Sequence, residues 1–139
     1  MKINHVFIII ALFISTISCQ GQDNIQLPSW AIGTWEGEIG FEHDIIEYKV
    51  SIDLDDSANI HTMYLMDDGA KFQLVLDSVS EQTVRFQIKP MSSETNLTFK
   101  DGIIDLSKID YFPDSLIHAQ LYPLNINELW LGQLKKKQK

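Results

Sequence analysis

The chain has 139 residues, enough for one domain with one core, and its 45% apolar and 22% charged content is that of an ordinary globular protein. Its 19 acidic and 11 basic residues leave a net charge of −8, with Lys2 at the start and Lys135, Lys136, Lys137 and Lys139 crowded at the end. All the acidic residues lie between those ends, and so acidic a body repels phosphate backbones and argues against nucleic-acid binding.

Met1 to His5 is short, polar and carries Lys2, Val6 to Ile14 is an unbroken apolar run, and Ser15-Thr16-Ile17-Ser18 brings in small residues. This is the order of a secretory signal over residues 1–18, and the run is too short for a membrane-spanning helix of about 20 residues. Cys19 is the only cysteine, so it has no intrachain disulfide partner. Cys19 preceded by Thr16-Ile17-Ser18, just past the apolar run, resembles the lipobox of bacterial lipoproteins, with Thr16 where a Leu is usual. The resemblance implies that Cys19 is the lipid attachment site and first mature residue. It implies a protein anchored in a membrane of the bacterial cell envelope, the outer membrane before the inner. Residues 19–27 then read as the lipidated cysteine and a tether, since Gln20-Gly21-Gln22-Asp23-Asn24 is polar and short.

A β-domain is expected over residues 28–134. Pro28 holds Leu27 extended, and Ser29 is placed to cap one helical turn before Gly33. Thr34 to Phe41 reads as the first strand, with Trp35 and Ile39 on one face and Gly40 as a bulge candidate. Ile45 to Asp55 alternates most clearly: Ile46, Tyr48, Val50, Ile52 and Leu54 against Glu47, Lys49, Ser51, Asp53 and Asp55. After the turn residues Asp55 to Asn59, the return strand is expected to carry Ile60, Thr62, Tyr64 and Met66 on its apolar face, which leaves His61 facing solvent. Asp67-Asp68-Gly69 is a hairpin turn signal. Phe72, Leu74 and Leu76 form the next apolar face, and Val84, Phe86 and Ile88 the one after, until Pro90 ends it. Shorter strands are expected around Leu97 and Phe99, around Ile103 to Leu106, from Leu116 to Tyr122, and from Leu129 to Leu134. Residues 135–139 read as a basic, solvated, disordered tail.

The pattern is all-β: roughly eight to ten strands joined by short turns, without an amphipathic helix. It suits a single antiparallel up-and-down β-barrel or a strongly curved meander, and closure removes exposed strand edges. Gly33-Thr34-Trp35, ahead of this meander, resembles the lipocalin-type signature. That resemblance implies that Trp35 sits on the first strand and closes one end of the barrel. In that superfamily a basic residue of the last strand packs on the tryptophan, whereas Leu129-Trp130-Leu131-Gly132 holds no arginine. Gly33-Thr34-Trp35-Glu36-Gly37, Leu76-Asp77-Ser78 and Val84-Arg85-Phe86 also resemble the small all-β domain ahead of some secreted α/β-hydrolases. No Gly-x-Ser-x-Gly elbow follows, so that resemblance implies a stand-alone accessory module.

Catalytic constellations are scarce, and neither an enzyme nor a cofactor is expected. Glu42-His43-Asp44 reads as a surface turn, because neighbours in an extended segment point to opposite faces. His61 and His118 lie on different strands, and no set of three or four metal ligands assembles from sequence. Asp53, Asp55, Asp56, Asp67 and Asp68 lack the spacing of a calcium loop and read as solubilising turn residues. Asn96-Leu97-Thr98 matches the glycosylation sequon, which in a bacterial lipoprotein is a chance match. Trp35, Tyr48, Val50, Tyr64, Phe72, Phe86 and Trp130 are expected to line the interior, either as packed core or as the wall of a cavity for a small apolar ligand. A barrel of about eight strands can do either.

Overall fold

A computed structural model describes residues 25–41, 47–55, 60–67, 69–91, 101–124 and 127–139. These contain eight strands: β1 (Gly33–Phe41), β2 (Glu47–Leu54), β3 (His61–Leu65), β4 (Ala70–Val79), β5 (Thr83–Pro90), β6 (Gly102–Ser107), β7 (Leu116–Pro123) and β8 (Trp130–Lys136). Each pairs antiparallel with the next, and β1 also pairs with β8, so the sheet closes into a barrel. This is the all-β, antiparallel up-and-down barrel expected from the alternation. The expected strand around Leu97 and Phe99, the residues Ile45 and Ile46, and Cys19 lie outside the described residues.

Alternation decides which side chains fill the barrel. Along β2, Val50, Ile52 and Leu54 are buried while Lys49 and Asp53 are exposed. Trp35 and Ile39 of β1, Phe72 and Leu74 of β4, Val84, Phe86 and Ile88 of β5, Ile104 and Leu106 of β6, and Leu121 of β7 meet them in one core. Gly69 takes φ +68° in the β3–β4 turn, where a glycine avoids the steric cost of a left-handed backbone. β3 is short, and the Asp67 side chain prolongs its ladder: Oδ2 accepts from the Lys49 backbone N–H at 3.2 Å, beside the Met66 N–H donating to the Lys49 carbonyl at 2.9 Å.

Four expectations are corrected. The inner face of β3 is His61, Met63 and Leu65, while Ile60 and Met66 are exposed and Tyr64 lies on the outer side. Register imposes this: Met63 stands opposite both Ile52 and Phe72, and Leu65 opposite Val50, so partners that face inward carry it with them. Tyr64 is therefore not an interior residue; its ring takes the Lys71 ammonium at 5.9 Å from the centroid. Gly40 is not a bulge, since it pairs in register with Glu47 and Leu131. The irregularity falls instead between Leu76 and Ser78 of β4, which turns Leu76 half out of the core. Finally, the last strand does not stop at Leu134. Lys135 and Lys136 belong to β8, the Lys136 N–H donates to the Ser115 carbonyl at 2.7 Å, and the Lys137 N–H donates to the Thr34 carbonyl at 2.8 Å.

Candidate functional site

The two ends of the barrel are built differently. At one end the lead-in, residues 25–32, runs beneath the strands before β1 begins. The Ala31 N–H donates to the Pro28 carbonyl at 3.0 Å, which makes residues 29–31 a turn, not a helix. That turn aims the Ala31 carbonyl at Trp35, whose Nε1–H donates to it at 2.8 Å. Leu27 and Ala31 are buried there with Trp35. The Lys136 ammonium sits 5.1 Å from the Trp35 ring centroid, a cation–π distance. A basic residue of the last strand thus packs on this tryptophan, from a position beyond the segment where the sequence expectation looked for it.

His61 is 7% exposed at this same end, edge-on to Phe86 with ring centroids 5.6 Å apart. It faces the core, contrary to the solvent-facing expectation. His118 lies on the outer side of β7 opposite Ser107, so the two histidines do not come together. His43 and Asn96 lie outside the described residues. Among the described residues no group of three His, Cys, Asp or Glu side chains is placed to hold a metal ion, and no helix is long and apolar enough to cross a membrane.

Between the ends, the barrel axis is occupied. Trp35, Val50, Phe72 and Phe86 are each fully buried, with Ile39, Ile52, Met63 and Leu106 packed among them. Of the residues expected inside, Trp130 is also buried, while Tyr48 is half-buried. These two form the far end: their rings stack with centroids 5.0 Å apart and planes 2° from parallel, close to half-buried Phe41, which pairs with Trp130 in the ladder. The stack is what the sequence alternation foresaw least, because it needs β2 and β8 to meet across β1.

Charge is organised on the outer wall. Arg85 and Asp105, opposite each other on β5 and β6, form a two-bond pair with Nε–Oδ1 and Nη2–Oδ2 both at 2.7 Å. The carboxylate raises the guanidinium above its ordinary range. Asp105 is 6% exposed although it faces outward, so the pair works as a pin across two strands. The Glu47 carboxyl is raised above the usual carboxylate value of 4.5, first by a side-chain hydrogen bond with Glu38 and then by the charge of Glu38. A carboxyl raised on folding adds stability that is present at low pH and lost as pH climbs through its folded value. Glu47→Gln is therefore expected to raise the melting temperature at pH 7 and leave it unchanged below pH 4. Thermal melts at the two pH values check this, and a lower melting temperature at pH 7 would contradict it.

Two of the clefts described on the outer surface lie near the Lys-rich end of β8. One of about 370 Å³ runs beside Glu36, Glu38, Lys49 and Lys135. Another of about 580 Å³ lies between Thr34, Asp53 and Asp55 on one side and Lys136, Lys137 and Lys139 on the other. Comparison with protein-family models, curated proteins and solved structures finds no match.

Proposed function

We propose that the chain is a lipid-anchored, non-enzymatic protein of the bacterial cell envelope that acts through the outside of a filled barrel. The observation that carries this reading is the occupied axis: Trp35, Val50, Phe72 and Phe86 fill the space that a carrier would leave for its ligand. The lipobox-like Ser18-Cys19 after an apolar run supports export and anchoring. The Trp35–Lys136 contact supports the lipocalin likeness of the scaffold, a likeness of build that by itself assigns no cargo. The accessory-module reading agrees with the filled core.

A second reading is a carrier for a small apolar ligand at the far end of the barrel. It is favoured by the Tyr48–Trp130 stack, which places a flat aromatic surface opposite the Trp35 end. Extraction of the protein purified from membranes, followed by mass spectrometry, separates the two. The filled-barrel reading expects acyl chains on the Cys19 peptide and no other apolar compound in molar proportion to protein. A stoichiometric apolar compound would make the carrier the better reading. Metabolic labelling with a fatty-acid analogue tests the anchor: wild type takes up label and Cys19→Ser does not. An unlabelled wild type would remove the anchor.

A further inference from the structure

β4 has ten residues and its neighbour β3 only five. The β3 ladder on β4 ends at the pair His61–Leu74, whereas the β5 ladder runs on to Val79. Beyond Leu74, one side of β4 therefore has no ladder partner among the described residues. The Lys71 carbonyl accepts from Met91 on the β5 side, and backbone groups alternate sides along a strand. The Leu76 N–H and C=O thus point away from β5, to the open side, where they form a template for another strand. A pocket of about 210 Å³ runs along this edge, between Ile25 and Leu27 of the lead-in and His61, Leu74 and Leu76. Leu76 is half-buried, while Ile25 and Ile60 are 49% and 56% exposed. Two exposed acids flank the edge, Asp77 in the irregular stretch of β4 and Glu81 in the turn that follows it. Asp77 accepts from the neutral Gln87 amide at 3.2 Å, which leaves its charge in place. The nearby cation, Arg85, is held by Asp105. β4 and β8 stand four places apart in the ring of eight strands, so the lysines of β8 lie across the barrel from this edge.

We propose that the open edge of β4 docks an extended segment of a partner protein, apolar and basic in alternation, as an added strand. The proposal rests on the filled-barrel reading above and names the surface through which it acts. Main-chain hydrogen bonds to Leu76 supply the attachment, and the side chains beside it supply the choice of partner. A residue paired with Leu76 turns its side chain to the same face as Leu76. It then meets Leu27 and Leu74 across the pocket, which suits an apolar side chain. The next residue turns to the outer face beside Asp77, which suits lysine or arginine. A second copy of this chain fits less well, because pairing β4 with β4 sets Asp77 and Glu81 of one copy against the same acids of the other.

The test uses the full protein in detergent and end-blocked peptides of alternating lysine and valine. Binding is read by fluorescence anisotropy, and amide hydrogen exchange is read residue by residue. In dilute protein the Leu76 N–H is expected to exchange fast and the Leu74 N–H slowly; with the peptide bound, Leu76 slows about tenfold or more. Methylating the valine nitrogens, which face β4, removes the hydrogen bonds to Leu76 and is expected to weaken binding about tenfold or more. Methylating the lysine nitrogens, on the far edge of the added strand, leaves binding unchanged. A peptide with glutamate in place of lysine binds about tenfold or more weakly, and the double variant Asp77→Lys with Glu81→Lys reverses that preference. Equal binding of the two methylated peptides, or protection that spares Leu76, overturns the docking edge. So does a preference for lysine that survives the charge reversal. Slow exchange at Leu76 that appears without peptide and grows with protein concentration overturns it in favour of a second copy. None of these results alters the filled-barrel reading, which is scored separately by the apolar compound recovered on extraction.

Discussion

Replacing Trp35 with alanine is expected to lower the unfolding free energy by about 3–5 kcal/mol, as large-to-small changes in a packed core do. Three separate losses converge. The side chain is fully buried, so its removal leaves a void among Ile39, Ile52 and their neighbours. Its Nε1–H holds the Ala31 carbonyl at 2.8 Å, so the turn that seats the lead-in loses its tie. The Lys136 ammonium loses the ring it lies over. Trp35→Phe keeps most of the apolar area but strands the Ala31 carbonyl, and it is expected to cost about 1–3 kcal/mol. Urea titration checks both values through the shift in midpoint at unchanged slope. A loss below about 1 kcal/mol for Trp35→Ala would mean that the end of the barrel closes without this residue.

Gly132→Ala is expected to cost about 3 kcal/mol or more, at the upper end of what overpacking does. Gly132 stands between Ile39 of β1 and Ala119 of β7, where the sheet closes on itself. An added Cβ would run into the Glu38 backbone oxygen and lie 2.6 Å from Ile39 Cγ2. The first obstacle is ladder backbone, which cannot swing aside as a side chain can without opening the β1–β8 seam. Gly69→Ala is the comparison. Its Cβ meets only Tyr64 Oη at 3.9 Å, and its cost is the left-handed backbone alone, about 1–2 kcal/mol. Equal losses at the two positions, measured by urea titration, would show that the seam has room to give.

Much of this barrel is legible in local pattern. β2 alternates without interruption, β4 carries Phe72, Leu74 and Leu76 on one face, and β5 is bounded by a turn and Pro90, so spacing alone places Val50, Phe72 and Phe86 in the interior, where they are buried, while leaving core and cavity wall undecided. β3 is not legible that way, because both of its faces carry apolar residues: Ile60, Tyr64 and Met66 on one, Met63 and Leu65 on the other. Only the register with β2 and β4 decides between them, and register is a property of the assembled sheet. The same holds for Lys136. Read locally, four lysines in the last five residues look like a solvated tail; read across the seam, Lys136 faces Trp35. Arg85 and Asp105 sit at ordinary polar positions of two different strands, and nothing before the β5–β6 pairing joins them.

The β1–β8 seam has a consequence for how the molecule comes into being. Every other ladder joins strands adjacent in sequence and can form as the chain is made. The seam pairs Trp35 with Lys136, so it must wait for the C-terminal segment. Closing so long a loop carries an entropy cost that the preceding hairpins do not face. Until then β1 has an open edge, Trp35 lacks its ammonium cover, and the lead-in lacks a finished floor to seat on. A chain that has not yet been made as far as Lys136 therefore has no completed barrel.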